Sequence, residues 1–289
     1  MSYRGVGYGN VAAKAADPIQ SKIKLNSKVV EVNSEGKTED SMTSMLCLLP
    51  GIQCNHDNNN LQTVKYEDEN GEMKSVKAKT VLVTVSLGIL QAGIINFVPT
   101  LPNWKQEVID NMEMGLLNKC VLQWENEDSM VWPEPSGSWI ELVTAETETS
   151  GRWTQFYNPS SFKDKPVLIG MTGGDEAREM ESQTDDEVLD DVMQSLRAMY
   201  PNITRPDKIF ISRWGQDPNV LGTYSVPNVG RHFDYDSELL GKNVGNVWFA
   251  GEATAGRSWS GCTVGGWETG EKAAMDMARK IRGRRVRKG

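Results

Sequence analysis

Cysteine is scarce in this chain of 289 residues: four, at positions 47, 54, 120 and 262, with no CxxC pair among them. A disulfide framework or a structural zinc site draws on closely spaced cysteines, or on histidines beside them, and only His56 and His232 are present to help. Reduced thiols and no metal are the expectation. Long apolar runs are also missing. No stretch reaches the roughly 20 apolar residues that span a bilayer, and the opening MSYRGVGYGN carries no apolar leader. The expectation is therefore a chain without a membrane segment, placed in the cytoplasm. Basic charge is in short supply as well, since 31 Lys and Arg stand against 39 Asp and Glu, a net charge of −8. Contact with a phosphate backbone needs a concentrated basic surface, so no nucleic-acid partner is expected. The exception is RKIRGRRVRK at residues 279–288. It reads as a nuclear address, as a contact for an acidic partner, or as a solvated helix end with a frayed tail.

What is present is an ordinary globular composition, 38% hydrophobic, in a chain long enough for one large domain or two smaller ones. Residues 246–280 organise the rest. Val247, Trp248, Phe249 and Ala250 form a short apolar run that stops at Gly251 and Glu252. Such a run reads as a buried strand ending at a ligand-facing loop. Gly265 and Gly266 then immediately precede a helical pattern carried by Trp267, Gly270, Ala273, Ala274, Met277, Ala278 and Ile281. Free N–H groups and the positive end of the helix dipole gather at a helix start, and glycines let a ligand approach the backbone. Two such turns, one with an acidic residue, suggest an extended cofactor held by its polar spine at the first and by its ring at the second.

Elsewhere the pattern is mixed α and β. Residues 11–20, VAAKAADPIQ, are weakly helical, and the alternation over 23–26 and 29–32 predicts two short strands around a turn at Asn26 and Ser27. Residues 34–60 turn polar and irregular, ending in NHDNNN, and read as an inserted surface loop. Residues 64–66 and 73–76 around Asn70 and Gly71 predict a β-hairpin, and residues 81–85 a buried strand. A short helix after Pro102 is carried by Trp104, Val108, Ile109 and Met112. Strands follow at 120–124, 139–143, 167–171 and 209–211. The clearest helix is 185–200, where Thr184 and Glu187 match a capping box, Val188, Val192, Leu196 and Met199 keep helical spacing, and Pro201 stops it.

Phe249, Ala250, Gly251, Glu252, Ala253 and Thr254, followed by Thr263, Val264, Gly265, Gly266 and Gly270, resemble the C-terminal flavin-binding signature of the flavin-containing amine oxidases. Within that superfamily the sequence looks most like the polyamine oxidases and the lysine-demethylase-type oxidases. The resemblance extends back through Ser86 to Leu90, Phe97-Val98-Pro99 with Leu101-Pro102, and Gly115 with Asn118-Lys119. It takes in Arg213-Trp214 with Asp217-Pro218, and Gly222 to Ser225. It implies FAD as cofactor and, as partners, a small amine substrate and oxygen. Lys119 would hold a water near the flavin N5 as a semi-buried ammonium. Trp214 and Tyr224 would pack beside the ring and form an aromatic wall of the substrate pocket, with Thr263 opening the opposite wall. Gly251 and Glu252 would meet the flavin's polar chain, Val264 and Gly265 the ring edge, and Val29 or Val30 the adenine. An ordinary sheet strand explains Val29 equally well, plain core aromatics explain Trp214 and Tyr224, and a surface lysine explains Lys119. The family more often has His or Gln at 265 and ends the motif in Ala-x-x-Ser-Gly, where this chain has Trp267, Glu268, Thr269 and Gly270.

The resemblance further implies an incomplete, Rossmann-like α/β FAD-binding domain, residues 1–95 and 234–289, interrupted by an α+β substrate-binding domain, residues 96–233. A complete oxidase of this kind opens with a strand, a GxGxxG turn and a helix. Gly5, Gly7 and Gly9 lack that spacing and any preceding apolar strand, so the sequence reads as the C-terminal part of such an enzyme. The expected function is oxidation of an amine, a polyamine first, to an imine with release of hydrogen peroxide. A non-catalytic scaffold that keeps the substrate domain is the alternative.

Overall fold

The structure, a computed structural model, describes residues 8–35, 61–126, 131–132, 139–143, 152–159 and 166–286. Gly5, Cys47, Cys54, His56, nearly all of the expected 34–60 loop and the last residues of the basic tail lie outside them. The chain divides into two units. The first comprises Met1–Ile23, Gly115–Asp217 and Leu221–Thr223, and the second Lys24–Met114, Pro218–Val220 and Tyr224–Gly289.

The first unit is built on a five-stranded antiparallel sheet, in the order Lys208–Ile211, Leu117–Gln123, Val167–Gly173, Gln155–Tyr157, Trp139–Glu141. Alternation along Leu117–Gln123 sends Asn118, Cys120 and Leu122 to the buried face and Lys119 to the other. The amphipathic helix Asp185–Met199 supplies Val188, Val192, Met193 and Leu196 to the same core as Cys120, Leu122, Trp124, Trp153, Phe156 and Leu168. Its start carries the expected capping box, with Thr184 and Glu187 each serving the other's backbone amide. Burial pushes the Cys120 thiol up to about 12, which makes it an inert core residue.

The second unit holds a four-stranded sheet in the order Met73–Ala78, Gln62–Glu67, Lys28–Asn33, Asn96–Val98, the last pair parallel. It also holds a parallel pair, Val81–Val83 beside Val247–Phe249. Leu87, Val108, Ile109, Met112, Phe233, Leu240 and Ala253 form its core, drawn from the helices Leu87–Gln91, Asn103–Asn111 and Phe233–Gly241 and the 3₁₀ turn Glu252–Thr254. The expected division at 95/96 and 233/234 moves for this reason. Asn96–Val98 pairs with Lys28–Asn33, and Asn103–Asn111 shares a core with Phe233–Gly241, so residues 96–114, 218–220 and 224–233 fold with the second unit, while residues 8–23, expected beside them, fall in the first.

Two local expectations are corrected. Residues 23–26 form no strand: Asn26 sits at φ 50 and breaks the extended path, leaving Lys28–Asn33 alone. The helix expected after Gly266 begins instead at Thr263 and runs to Val286, with both glycines inside its first turn. Among the described residues no helix is long and apolar enough to cross a membrane, and no group of three His, Cys, Asp or Glu could hold a metal.

Candidate functional site

The parallel pair ends where Ala250 N–H donates to the Val83 carbonyl at 3.1 Å. The next residue, Gly251, adopts φ 137, which side chains rarely tolerate, and faces open space where a Cβ would stand. The outer side of this turn is therefore bare backbone at the carboxyl end of a parallel strand, where open α/β sheets take their ligands. Thr269 pins the turn to the helix Thr263–Val286. Its Oγ1 accepts from Gly251 N–H at 3.1 Å and lies 2.8 Å from the Gly265 carbonyl oxygen and 3.0 Å from that of Gly251. The motif departs from the family at this point yet keeps a hydroxyl.

Glu252 is a brace. Its carboxylate accepts from Ser225 N–H, from Ser225 Oγ and from Gly261 N–H, each at 2.9 Å. Three of its roughly four acceptor sites are thus engaged by protein donors, and what the turn mainly offers a ligand is its main chain. The brace draws in Tyr224, since Tyr224–Val226 is the strand it holds. A Cβ built on Gly261 would lie 3.3 Å from the Tyr224 ring, so that ring stacks on the Gly261 backbone. Tyr224 is half-buried, whereas Thr263 and Val264 at the helix start are exposed. Gly265 is buried: a Cβ there would stand 2.3 Å from the Trp259 carbonyl oxygen. The loop 256–262 folded onto the first helical turn demands glycine at this position, whatever the ligand.

Glu252→Gln tests the brace. An amide has one oxygen, so in either orientation Ser225 N–H or Gly261 N–H meets an NH₂ group and loses its acceptor. The expected loss is about 1–3 kcal/mol of stability, read as a lower urea midpoint at unchanged slope. A parental midpoint would refute the brace.

These residues gather in the second unit. Val29 and Val30 lie in its four-stranded sheet, both half-buried, and the register against Gln62–Glu67 shifts between Val29 and Glu31, which singles out Val30 as a bulge. A cavity of about 490 Å³ in the same unit is lined in part by Asp234, Glu238, Lys242, Trp248, Lys272 and Asp276. Three carboxylates against two ammonium groups make it a poor seat for a diphosphate. For a flavin, the open side of Gly251, the contact of 3.8 Å that a Cβ on Gly266 would make with Glu252 N, and the exposed helix start fit the ring and the chain next to it.

Lys119 and Trp214 belong to the first unit. Lys119 is exposed rather than semi-buried, because the period of the strand turns it away from the core. Trp214 is 39% exposed and is no core aromatic. Its main chain is tied on both sides, N–H to Asn118 Oδ1 at 3.1 Å and carbonyl to Gly222 N–H at 2.8 Å. The sequence placed Ser225 and Thr269 within motifs but gave neither a role, and it singled out neither Ser212 nor Glu181. A hydroxyl or carboxylate whose partner lies tens of residues away leaves no local pattern.

The sequence model of the family described as flavin containing amine oxidoreductase matches residues 2–278. Polyamine oxidase 4 of Oryza sativa subsp. japonica is 36% identical over 207 residues, 72% of this chain and 40% of that protein. Polyamine oxidase 2 of Arabidopsis thaliana is 34% identical over 218 residues, 75% of this chain and 42% of that one. The chain thus spans about two fifths of the length of the curated relatives it matches. Among solved structures, cyclohexylamine oxidase from Brevibacterium oxydans superposes with TM-score 0.70 at 21% identity, over 96% of this chain and 53% of that one. Wild-type putrescine oxidase bound to putrescine gives 0.69 at 17%, over 94% and 53%. The α/β fold is that of these oxidases, and the chain belongs to the flavin-containing amine oxidoreductase family.

Proposed function

We propose that this protein oxidises an amine, of the polyamine class first, to the imine, with FAD as electron acceptor and oxygen as final oxidant, releasing hydrogen peroxide. The observation that carries the reading is the junction in the second unit, where the open side of Gly251 and the exposed start of the helix Thr263–Val286 are locked together by Glu252 and Thr269. Membership of the family and relatives named polyamine oxidases at 34–36% identity support it. FAD, when bound, supplies the two-electron chemistry. The second unit is assigned to the flavin as an incomplete Rossmann-like half. Gly251 and Glu252 take its polar chain, Thr263, Val264 and Gly265 its ring edge, and Val29 or Val30 its adenine. The N–H groups and dipole of the helix start favour the negative charge that gathers at that edge on reduction. The first unit is assigned to the substrate amine. Lys119 is a donor that can hold a water, and the exposed Trp214 ring offers an aromatic face that attracts cationic amines; the Tyr224 ring, in the second unit, offers another.

The test is the absorption spectrum of the 289-residue chain purified with excess FAD, followed by addition of spermine under nitrogen and a peroxide assay in air. Flavin bands that spermine bleaches, with peroxide on re-aeration, are the expected result. A folded, colourless protein would overturn the reading for this chain. Bleaching by a monoamine alone would overturn the polyamine preference.

A further inference from the structure

In the first unit, three polar side chains are withdrawn from water beneath Lys119 and Trp214: Asn118 at 0% exposure, Ser212 at 7% and Glu181 at 9%. Asn118 Nδ2 donates to Glu181 Oε1 at 2.7 Å, and Ser212 Oγ donates to Asn118 Oδ1 at 3.0 Å. We propose that Asn118, Ser212 and Glu181 form a buried positioning hub that fixes the main chains of Lys119 and Trp214 and thereby sets the rate of amine oxidation, an inference that rests on the function proposed above.

The evidence is where the hub's remaining bonds go. Lys119 N–H donates to Ser212 Oγ at 2.8 Å, and Lys119 carbonyl accepts from Ser212 N–H at 2.9 Å. Trp214 N–H donates to Asn118 Oδ1 at 3.1 Å, and Gly215 N–H to Glu181 Oε1 at 2.7 Å. Gln216 Nε2 donates to the Glu181 carbonyl at 2.7 Å. Arg213 is anchored separately, by Asp185 at 2.7 Å and the Gln183 carbonyl at 2.8 Å. Every residue from 212 to 216 is therefore fastened, yet the Trp214 ring and the Lys119 side chain remain exposed. Gly215 is part of the device, because a Cβ there would stand 2.5 Å from Glu181 Oε2. Only glycine lets the carboxylate come so close.

Stability alone does not call for this arrangement. The apolar cluster around Leu122, Phe156, Val188 and Leu196 already makes a core. Burying a carboxylate and an amide is costly, and well-packed apolar replacements of buried polar groups are often no less stable. What apolar residues cannot do is hold two particular N–H groups in register under two exposed side chains. Asn118 serves both as donor to Glu181 and as acceptor from Ser212 and Trp214, so its two ends link the strand Leu117–Gln123 to the segment that follows Lys208–Ile211.

The experiment compares the parent chain with Ser212→Ala, Asn118→Leu, Glu181→Leu and Glu181→Gln. Amide hydrogen exchange is followed at 119 and 212–216, with the helix Asp185–Met199 as internal control, beside anaerobic bleaching of the FAD-loaded chains by spermine. Ser212→Ala, Asn118→Leu and Glu181→Leu are expected to speed exchange at 119 and 212–216 by about tenfold or more, with the helix unchanged. Maximal bleaching should slow by roughly tenfold to a hundredfold, and the half-saturating spermine concentration should move less. Glu181→Gln should recover most of both losses, because one amide oxygen can accept from Asn118 Nδ2 and Gly215 N–H together. Faster exchange in the helix as well would reduce the hub to ordinary core stability and overturn the proposal. Parental bleaching in Asn118→Leu would do the same. If the parent itself does not bleach, the proposed function fails, and the exchange pattern alone decides whether the hub holds these main chains. Should Asn118→Leu not fold, Ser212→Ala, which removes a single hydroxyl, decides.

Discussion

Gly265→Ala is expected to lower stability by about 1–3 kcal/mol or more and to strip the chain of flavin. The new Cβ would lie 2.3 Å from the Trp259 carbonyl oxygen and 2.7 Å from Ala255 Cβ. No flexible side chain can swing away, since one struck atom is main chain and the other is a β-carbon fixed to it. The carbonyl of Trp259 is further committed to Cys262 N–H at 3.3 Å, so relief means moving the whole loop 256–262 off the helix start. That loop carries Gly261, whose N–H the Glu252 carboxylate holds, and the shift passes to the Gly251 turn. Gly266→Ala is the control. Its Cβ would meet only Glu252 N, at 3.8 Å, an ordinary contact. Urea unfolding and titration of each variant with FAD check both statements, and a parental midpoint for Gly265→Ala would contradict the packing described.

Lys105→Met is expected to have the larger effect on stability, about 3–5 kcal/mol. Lys105 is wholly buried in the second unit, and its Nζ donates to the carbonyls of Leu239 at 3.1 Å, of Lys242 at 2.7 Å and of Leu240. Leu239 and Leu240 lie in the last turn of Phe233–Gly241 and Lys242 caps it, where carbonyls lack the amide partners of a continuing helix; of the three, the Leu239 carbonyl also accepts from Lys242 N–H, at 3.1 Å. The ammonium also sits 4.0 Å from the centre of the Phe249 ring, on the strand that feeds the Gly251 turn. Methionine fills the space and serves none of the three oxygens. A pH signature accompanies the loss. Burial lowers the Lys105 pKa from 10.5 to about 7. Between those values the unfolded chain binds the proton that the folded chain has released, so parental stability rises with pH through that window, and below it this group adds no pH dependence. Lys105→Met lacks the slope. The stability gap between parent and variant should therefore be wider at pH 9 than at pH 7, and a constant gap would show that the amine stays charged in both states.

Local pattern made part of this fold legible. The capping box of Thr184 and Glu187 and the apolar spacing behind it marked Asp185–Met199 almost to the residue, because both signals are complete within one segment. Gln155–Tyr157 was missed, as three residues do not establish a period. Lys105 gave no sign of burial, since a lysine in an amphipathic helix ordinarily faces water and its acceptors lie beyond residue 238. The site divides the same way. Gly251 and Glu252 were visible as a turn after a strand, but the Glu252 carboxylate serves Ser225 and Gly261, partners that only the folded chain brings near. The glycines at 265 and 266 suggested a break before the helix. One is instead dictated by a carbonyl six residues earlier, and the helix runs through both.

The parallel pairing of Val81–Val83 with Val247–Phe249 has a consequence for how the protein is made. On the ribosome, the segment that forms the sheet of the first unit emerges as one nearly continuous stretch, Gly115–Asp217, and can begin to close on itself early. The second unit must wait. Its strand at Val81–Val83 leaves the exit tunnel long before its partner is synthesised, and closing so large a loop is slow. During that interval the apolar edge of Val81–Val83 and the unfilled places of Phe233 and Leu240 in its core stand open to chaperones. The second unit's core therefore stays incomplete until the segment carrying Phe233, Leu240 and Val247–Phe249 has emerged.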